Sequence, residues 1–211
     1  MGKGLTQVVR NCAKISAECI FTSGKLTLRQ LDESDAEVLV KWLSDPAVLE
    51  YYEGRDHVYD MQMVQETFYL AEPWMTRCLI EYDGKKIGYL QFYRLNQEDL
   101  EEYSAGNCAD ICYAADQFIG EHDYWNRGIG TELMKGIVQY LFAKKKAHRI
   151  FLDPHCRNRR AVRCYEKCGF RKVCVLEAHE LHEGRMEDCF LMECVQDDGQ
   201  RNKNELQDCS L

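Results

Sequence analysis

What the chain lacks narrows it first. No stretch approaches the roughly 18 apolar residues that a helix needs to cross a bilayer. Near the start, Arg10, Lys14 and Glu18 interrupt any apolar core of an export signal. Both absences point to a cytoplasmic protein with no membrane partner, and the fit of Met1-Gly2-Lys3-Gly4-Leu5-Thr6 to the permissive myristoylation pattern has no other feature beside it. No Cys-x-x-Cys pair occurs: Cys108 and Cys112, like Cys164 and Cys168, have three residues between them, which speaks against structural zinc, and no metal is expected. The 12 cysteines are spread over 211 residues and read as reduced thiols rather than as a disulfide framework. Positive charge is also scarce. Lys and Arg number 27 against 35 Asp and Glu, a formal net charge of -8, which argues against a nucleic-acid binder with its basic face. There is no internal repeat and no low-complexity linker.

What is present suffices for one core. With 45% apolar residues the chain can bury a single substantial domain. Residues 1–24 show no clean period and read as an N-terminal extension, 25–195 as the folded domain and 196–211 as a polar tail. Alternation from position 26 to 31 predicts a strand, and Ser34 or Asp35 caps a helix to Leu43 that Asp45-Pro46 ends. A helix over 61–70 follows, then a hairpin of 77–82 and 87–93 around Asp83-Gly84. After an acidic loop come a strand at 110–119, a helix to about 142, a strand at 149–153, a helix over 158–168 closed by Gly169, and strands at 171–177 and 187–195. This order implies a mixed α/β fold, a sheet of about seven strands with about four helices on its two faces.

The segment Asn126-Arg127-Gly128-Ile129-Gly130-Thr131 joins a strand to a helix whose apolar residues Ile129, Leu133, Met134, Ile137, Val138, Leu141 and Phe142 fall on one face. Gly128 and Gly130 leave the backbone bare, so amide N–H groups can converge on an anion at a helix start. Arg127 adds a positive charge there, and Thr131 a hydroxyl. Taken alone, the same segment also reads as an ordinary glycine turn. Acid is concentrated elsewhere. Glu98, Asp99, Glu101, Glu102, Asp110 and Asp116 fall between 95 and 116 with no Lys or Arg, and Glu177, Glu180, Glu183, Glu187, Asp188 and Glu193 are set against Arg185 alone. Such runs are either solvated loops or a field that draws a cationic substrate.

Strand, Arg127-Gly-x-Gly-Thr131, helix, strand, then Asn158, Ala161, Tyr165 and Gly169-Phe170 together resemble the GNAT superfamily of acetyl-CoA-dependent N-acetyltransferases, with its mostly antiparallel twisted sheet. More narrowly, Asp116 to Gly120, Trp125 to Thr131, Leu152-Asp153-Pro154-His155, and His179-Glu180-Leu181-His182-Glu183-Gly184 with Glu187-Asp188-Cys189 resemble aminoglycoside 6'-N-acetyltransferases, including the acetyltransferase half of a bifunctional aminoglycoside-modifying enzyme. The likeness runs from about position 26 to 193. Where the superfamily motif opens with Gln or Arg, this chain has Trp125.

The resemblance implies acetyl-CoA as cosubstrate, lying along Gln117-Phe118-Ile119 with its pyrophosphate on Arg127, Gly128, Ile129, Gly130 and Thr131. The Phe118 amide would face the developing oxyanion, and Asn158 would touch the pantetheine arm or simply cap its helix. Asp116 is expected as anchor and proton acceptor, directly or through water, and Tyr165 as proton donor to the departing thiolate, or else as a core aromatic. Asp153, Glu101, Asp99, Tyr103, Glu180 and Asp188 are candidates for the ammonium groups of an aminoglycoside, or face solvent. Glu50-Tyr51-Tyr52 offers an aromatic wall for a sugar ring, or packs in the core. The chain would work as a monomer or homodimer, conferring aminoglycoside resistance. Another cationic amine, such as a polyamine or peptide, is the alternative acceptor, and a non-catalytic acetyl-CoA-binding module the alternative class.

Overall fold

Residues 18–70, 72–103 and 110–196 are described by a computed structural model. In chain order the elements are β1 (Cys19–Ser23), β2 (Leu26–Gln30), α1 (Ala36–Trp42), α2 (Pro46–Leu49), α3 (Met61–Phe68), β3 (Met75–Tyr82), β4 (Lys85–Arg94), α4 (Gln97–Glu102), β5 (Cys112–Ile119), α5 (Ile129–Lys144), β6 (Arg149–Leu152), α6 (Arg159–Glu166), β7 (Arg171–His182) and β8 (Arg185–Val195). The strands form one sheet in the order β1-β2-β3-β4-β5-β6-β8-β7. Every neighbouring pair is antiparallel except β5 with β6.

Period-two alternation gives the central strands two apolar faces. On β3, Cys78 and Ile80 join the core under α5 and α6, while Leu79 between them joins the core under α1 and α3; Leu90 and Tyr89 divide in the same way on β4. Seven residues of α5 are buried, the seven that its periodicity marks, each contributing about 1.5–3 kcal/mol when fully buried. Helices on both faces of the sheet thus follow from strands that are apolar on both sides.

Three expectations are corrected. The sheet has eight strands because β1, taken as part of an extension, pairs with β2. Its Phe21 packs on α5 at Gly136, where a Cβ would come within 2.4 Å of the ring, and Ser23 Oγ donates to Glu132 at 2.9 Å. The folded unit therefore begins before position 25; residues 1–17 lie outside the described residues, as do 197–211 of the tail. Asp45-Pro46 does not simply end a helix: Asp45 caps α2, whose first residue is Pro46, a position that needs no N–H. The acidic loop opens as α4, because Asn96 and Asp99 form a capping box. With α2 and α4 the described residues hold six α-helices.

Candidate active site

The sheet splits at its centre. β5 and β6 pair only at Cys112 with Arg149, Tyr113 with Ile150 and Ala114 with Phe151, whereas β5 stays paired with β4 as far as Ile119. From Ala115 to Ile119 the β6 side of β5 is an unpaired edge, with a cleft of about 770 Å³ beside it. Continuing the register past Ala114 and Phe151 brings Asp116 level with Asp153, one residue beyond β6.

One wall of the cleft is built for an anion. Gly128 has φ 81° and a Cβ there would meet nothing within 4 Å, so it permits the left-handed turn and leaves the backbone open. Unlike α2, α3, α4 and α6, α5 has no side-chain cap, and its first N–H groups are left for a ligand. Trp125 donates its ring N–H to the Ile119 carbonyl at 2.7 Å and so ties the turn to the end of β5. The Arg160 guanidinium stacks 4.4 Å from the centre of the Trp125 ring, and Arg160, Arg163 and Lys167 line the cleft.

The opposite wall is acidic. Asp116 accepts one hydrogen bond, from Gln91 Nε2 at 2.8 Å, and Gln91 in turn accepts from Tyr89 at 2.9 Å. Burial, then the neighbouring Asp153 charge, push the Asp116 pKa up to about 7 against the Gln91 bond. Burial would also raise Asp153, but hydrogen bonds from His179 (3.2 Å) and Tyr103 (2.9 Å) outweigh it and hold this carboxyl below its ordinary value. The bond to Asp153 correspondingly lifts His179. Glu180 lines the same wall, its carboxylate 2.8 Å from His155 Nε2. Tyr165 projects into the cleft from α6; burial, and then the neighbouring Cys164, raise its pKa, so its hydroxyl stays protonated.

A family model described as an acetyltransferase (GNAT) domain matches residues 32–178. The chain belongs to the GNAT acetyltransferases. Aminoglycoside N(6')-acetyltransferase type 1 of Klebsiella pneumoniae is 31% identical over 157 residues, 72% of this chain and 76% of that protein. A crystal structure of aminoglycoside acetyltransferase AAC(6')-Ib with coenzyme A and kanamycin superposes with a TM-score of 0.68 at 25% identity, covering 84% of this chain and 99% of that one. Spermidine N-acetyltransferase from Vibrio cholerae, in complex with CoA and spermine, reaches the same TM-score at 19% identity over 82% and 97% of the two chains, a likeness of fold alone.

In this acetyltransferase the cleft gathers Asp116, Gln117, Phe118, Ile119, Gly128, Ile129, Gly130, Thr131, Asp153, Asn158, Tyr165 and Glu180 from the residues singled out in sequence. Asn158 Oδ1 caps α6 by accepting from the Ala161 N–H at 3.1 Å, and the Thr131 hydroxyl lies 3.4 Å from Cys164 Sγ. Tyr51 and Tyr52 both border the cleft, and Tyr52 also packs on the core, stacking on Phe118 with ring centres 4.7 Å apart.

Other expected residues stand elsewhere. Arg127 lies over the Tyr124 ring at 5.3 Å and donates to the Asp123 carbonyl rather than lining the cleft. Asp99 is spent on the α4 capping box, Glu101 accepts from Gln97 on the same helix, and Asp188 accepts from the Ala178 N–H at a bulge of β7. Tyr103 stands behind Asp153 as its donor. Glu102, next to the residue chosen from sequence, is the α4 acid that reaches the site, 3.4 Å from His179 Nδ1. Gln91, Tyr93, His179 and Arg160 were missed. Only Arg160 carried a signal, a cation two residues beyond a helix cap, with an aromatic residue at the motif's altered position.

Proposed function

We propose that this acetyltransferase is an acetyl-CoA-dependent aminoglycoside 6'-N-acetyltransferase that confers resistance from the cytoplasm. The observation that carries the reading is Asp116, a carboxyl group at the mouth of the split with a pKa of about 7, where a general base both exists ionised and holds a proton well. An acceptor amine arriving as ammonium gives a proton to Asp116, and its lone pair then forms the N–C bond to the acetyl carbon. As the C–S bond breaks, Tyr165 donates its proton to the leaving sulfur and regains one, through water, from the acylated nitrogen, which sheds its second proton to become the amide. Asp153 stays ionised between Tyr103 and His179 and, with Glu180, supplies charge for further ammonium groups.

The open edge from Ala115 to Ile119 suits a peptide-like pantetheine arm, and the bare amides from Gly128 to Thr131 suit a diphosphate. Arg160, Arg163 and Lys167 fit as its countercharges, which moves the side-chain charge expected of Arg127 to α6. The acceptor assignment is supported by the acidic wall and by the names of the aminoglycoside-acetylating relatives.

A thiol-release assay over a panel of amines tests the reading. Release is expected with aminoglycosides bearing a 6'-amine, and none with those bearing a 6'-hydroxyl. Release with spermidine or a basic peptide but no aminoglycoside would overturn the acceptor, and tight calorimetric binding without turnover would overturn the enzyme.

A further inference from the structure

The geometry points to a site for a borderline divalent transition metal, Zn2+ foremost, held by His155, Glu180 and His182. One ligand atom from each of the three lies within 4.8 Å of the other two. His155 comes from the β6–α6 connection, fixed by a bridge to Cys189 of β8, while Glu180 and His182 are alternate residues of β7 and share a face. The β7 bulge between Leu176 and Glu180, pinned by the Asp188 bond to Ala178, sets which face that is.

Two observations independent of this clustering ask for a ligand. His155 is 5% and His182 2% exposed, yet His155 Nδ1 and both ring nitrogens of His182 are buried without a hydrogen-bond partner. Buried imidazole nitrogens rarely stay unpaired. The rings meet edge-to-face with centres 4.7 Å apart and an interplanar angle of 85°, a stacking contact that satisfies none of these nitrogens. Nor does Glu183 serve His182: it stands 4.0 Å from Nε2 and is taken by Arg55. A cation can be shared by two imidazole lone pairs and a carboxylate. A tetrahedral Zn2+ takes nitrogen and oxygen ligands at about 2.0–2.1 Å and so wants them about 3.4 Å apart, a spacing between the 2.8 Å of His155 Nε2 to Glu180 and the 4.8 Å that bounds the three. Water completes the fourth position from the cleft side, where His155 and Glu180 are lining residues.

The ion would tie the β6–α6 connection to the tip of the β7–β8 hairpin, and while bound it would hold Glu180, leaving Asp116 and Asp153 as the carboxylates of the acidic wall. The site uses no thiol, so the absence of Cys-x-x-Cys does not bear on it. Calorimetry with ZnCl2 on the untagged full chain is expected to give one site per molecule, and thermal unfolding a Zn2+-dependent rise in Tm. His155→Gln and His182→Gln should each weaken binding at least tenfold, with His57→Gln as an unaffected control. Imidazole nitrogen NMR of the unsubstituted protein guards against variants that fail to fold: signals from two histidines should move on adding Zn2+. Absence of stoichiometric binding, unmoved imidazole signals, or full binding retained by both variants would overturn the site.

Discussion

Asp116 on the β5 arm of the split and Asp153 beyond the β6 arm stand level across the split, and both are half-buried, yet their acidities move in opposite directions. Asp116 has one neutral donor, Gln91. Asp153 has a tyrosine hydroxyl and an imidazole that is itself tied to Glu102. Burial therefore sets the sign only where donors are few, and two donors on one carboxylate leave its neighbour to take the proton. Here the division of labour between two aspartates is decided by residues on β4, α4 and β7 rather than by the strands that carry them.

Four substitutions break or sharpen that contrast. The largest effect is expected of Asp116→Asn, which should lower turnover by about 10²- to 10³-fold while leaving acetyl-CoA affinity unchanged; steady-state rates beside calorimetry check this, and wild-type turnover would return Asp116 to a structural role. The same substitution should stabilise the fold at high pH. A carboxyl whose folded pKa exceeds its unfolded value binds more protons folded than unfolded between about pH 4 and 7, so stability falls as pH rises through that window. Asparagine removes the loss, and Tm should rise by about 2–4 °C at pH 8 but not at pH 4.

If Tyr165 is the proton donor proposed above, Tyr165→Phe should cost about tenfold in turnover with an unchanged melting curve, since only a hydroxyl is removed. Gln91→Leu deletes the single bond that favours ionised Asp116, so the rise of kcat/KM with pH should move upward by about half a unit to one unit. A downward shift in the pH profile would mean that Gln91 favours the protonated form. The smallest effect on catalysis is expected of Gly136→Leu, which crowds Phe21 and should cost about 1–3 kcal/mol of stability in urea unfolding with turnover intact. It separates the β1 edge from the central split.

Much of the frame was legible because it rests on local pattern. The buried stripe of α5 and the strands around it follow periodicity, and the bare turn at Gly128 follows from residues that permit it. What stayed hidden depends on distant meetings. Gln91 reaches Asp116 across 25 residues and His179 reaches Asp153 across 26, and neither period nor spacing encodes such a pairing. Asp99 and Asp188, open in the sequence to an ammonium group or to solvent, each accept from a backbone N–H instead, because an acidic side chain can serve the backbone as readily as a substrate. In α4 the signal is present, an Asn96 and Asp99 three apart, but so dense a run of acid also fits a solvated loop or a field for a cationic substrate. Arg160 reads as an ordinary helical cation until the Trp125 ring beneath it is seen.

The turn at Gly128 also has a consequence for how such a protein can change. Within the anion-binding wall the stretch from Gly128 to Thr131 offers main chain, which point mutation scarcely edits without losing the turn itself. The facing wall is made of carboxylates, rings and an imidazole, each rewritten by a single codon. Variation can therefore roam over the carboxylate wall while the bare turn stands still, and a compound aimed at those amides would meet a target with few ways to escape.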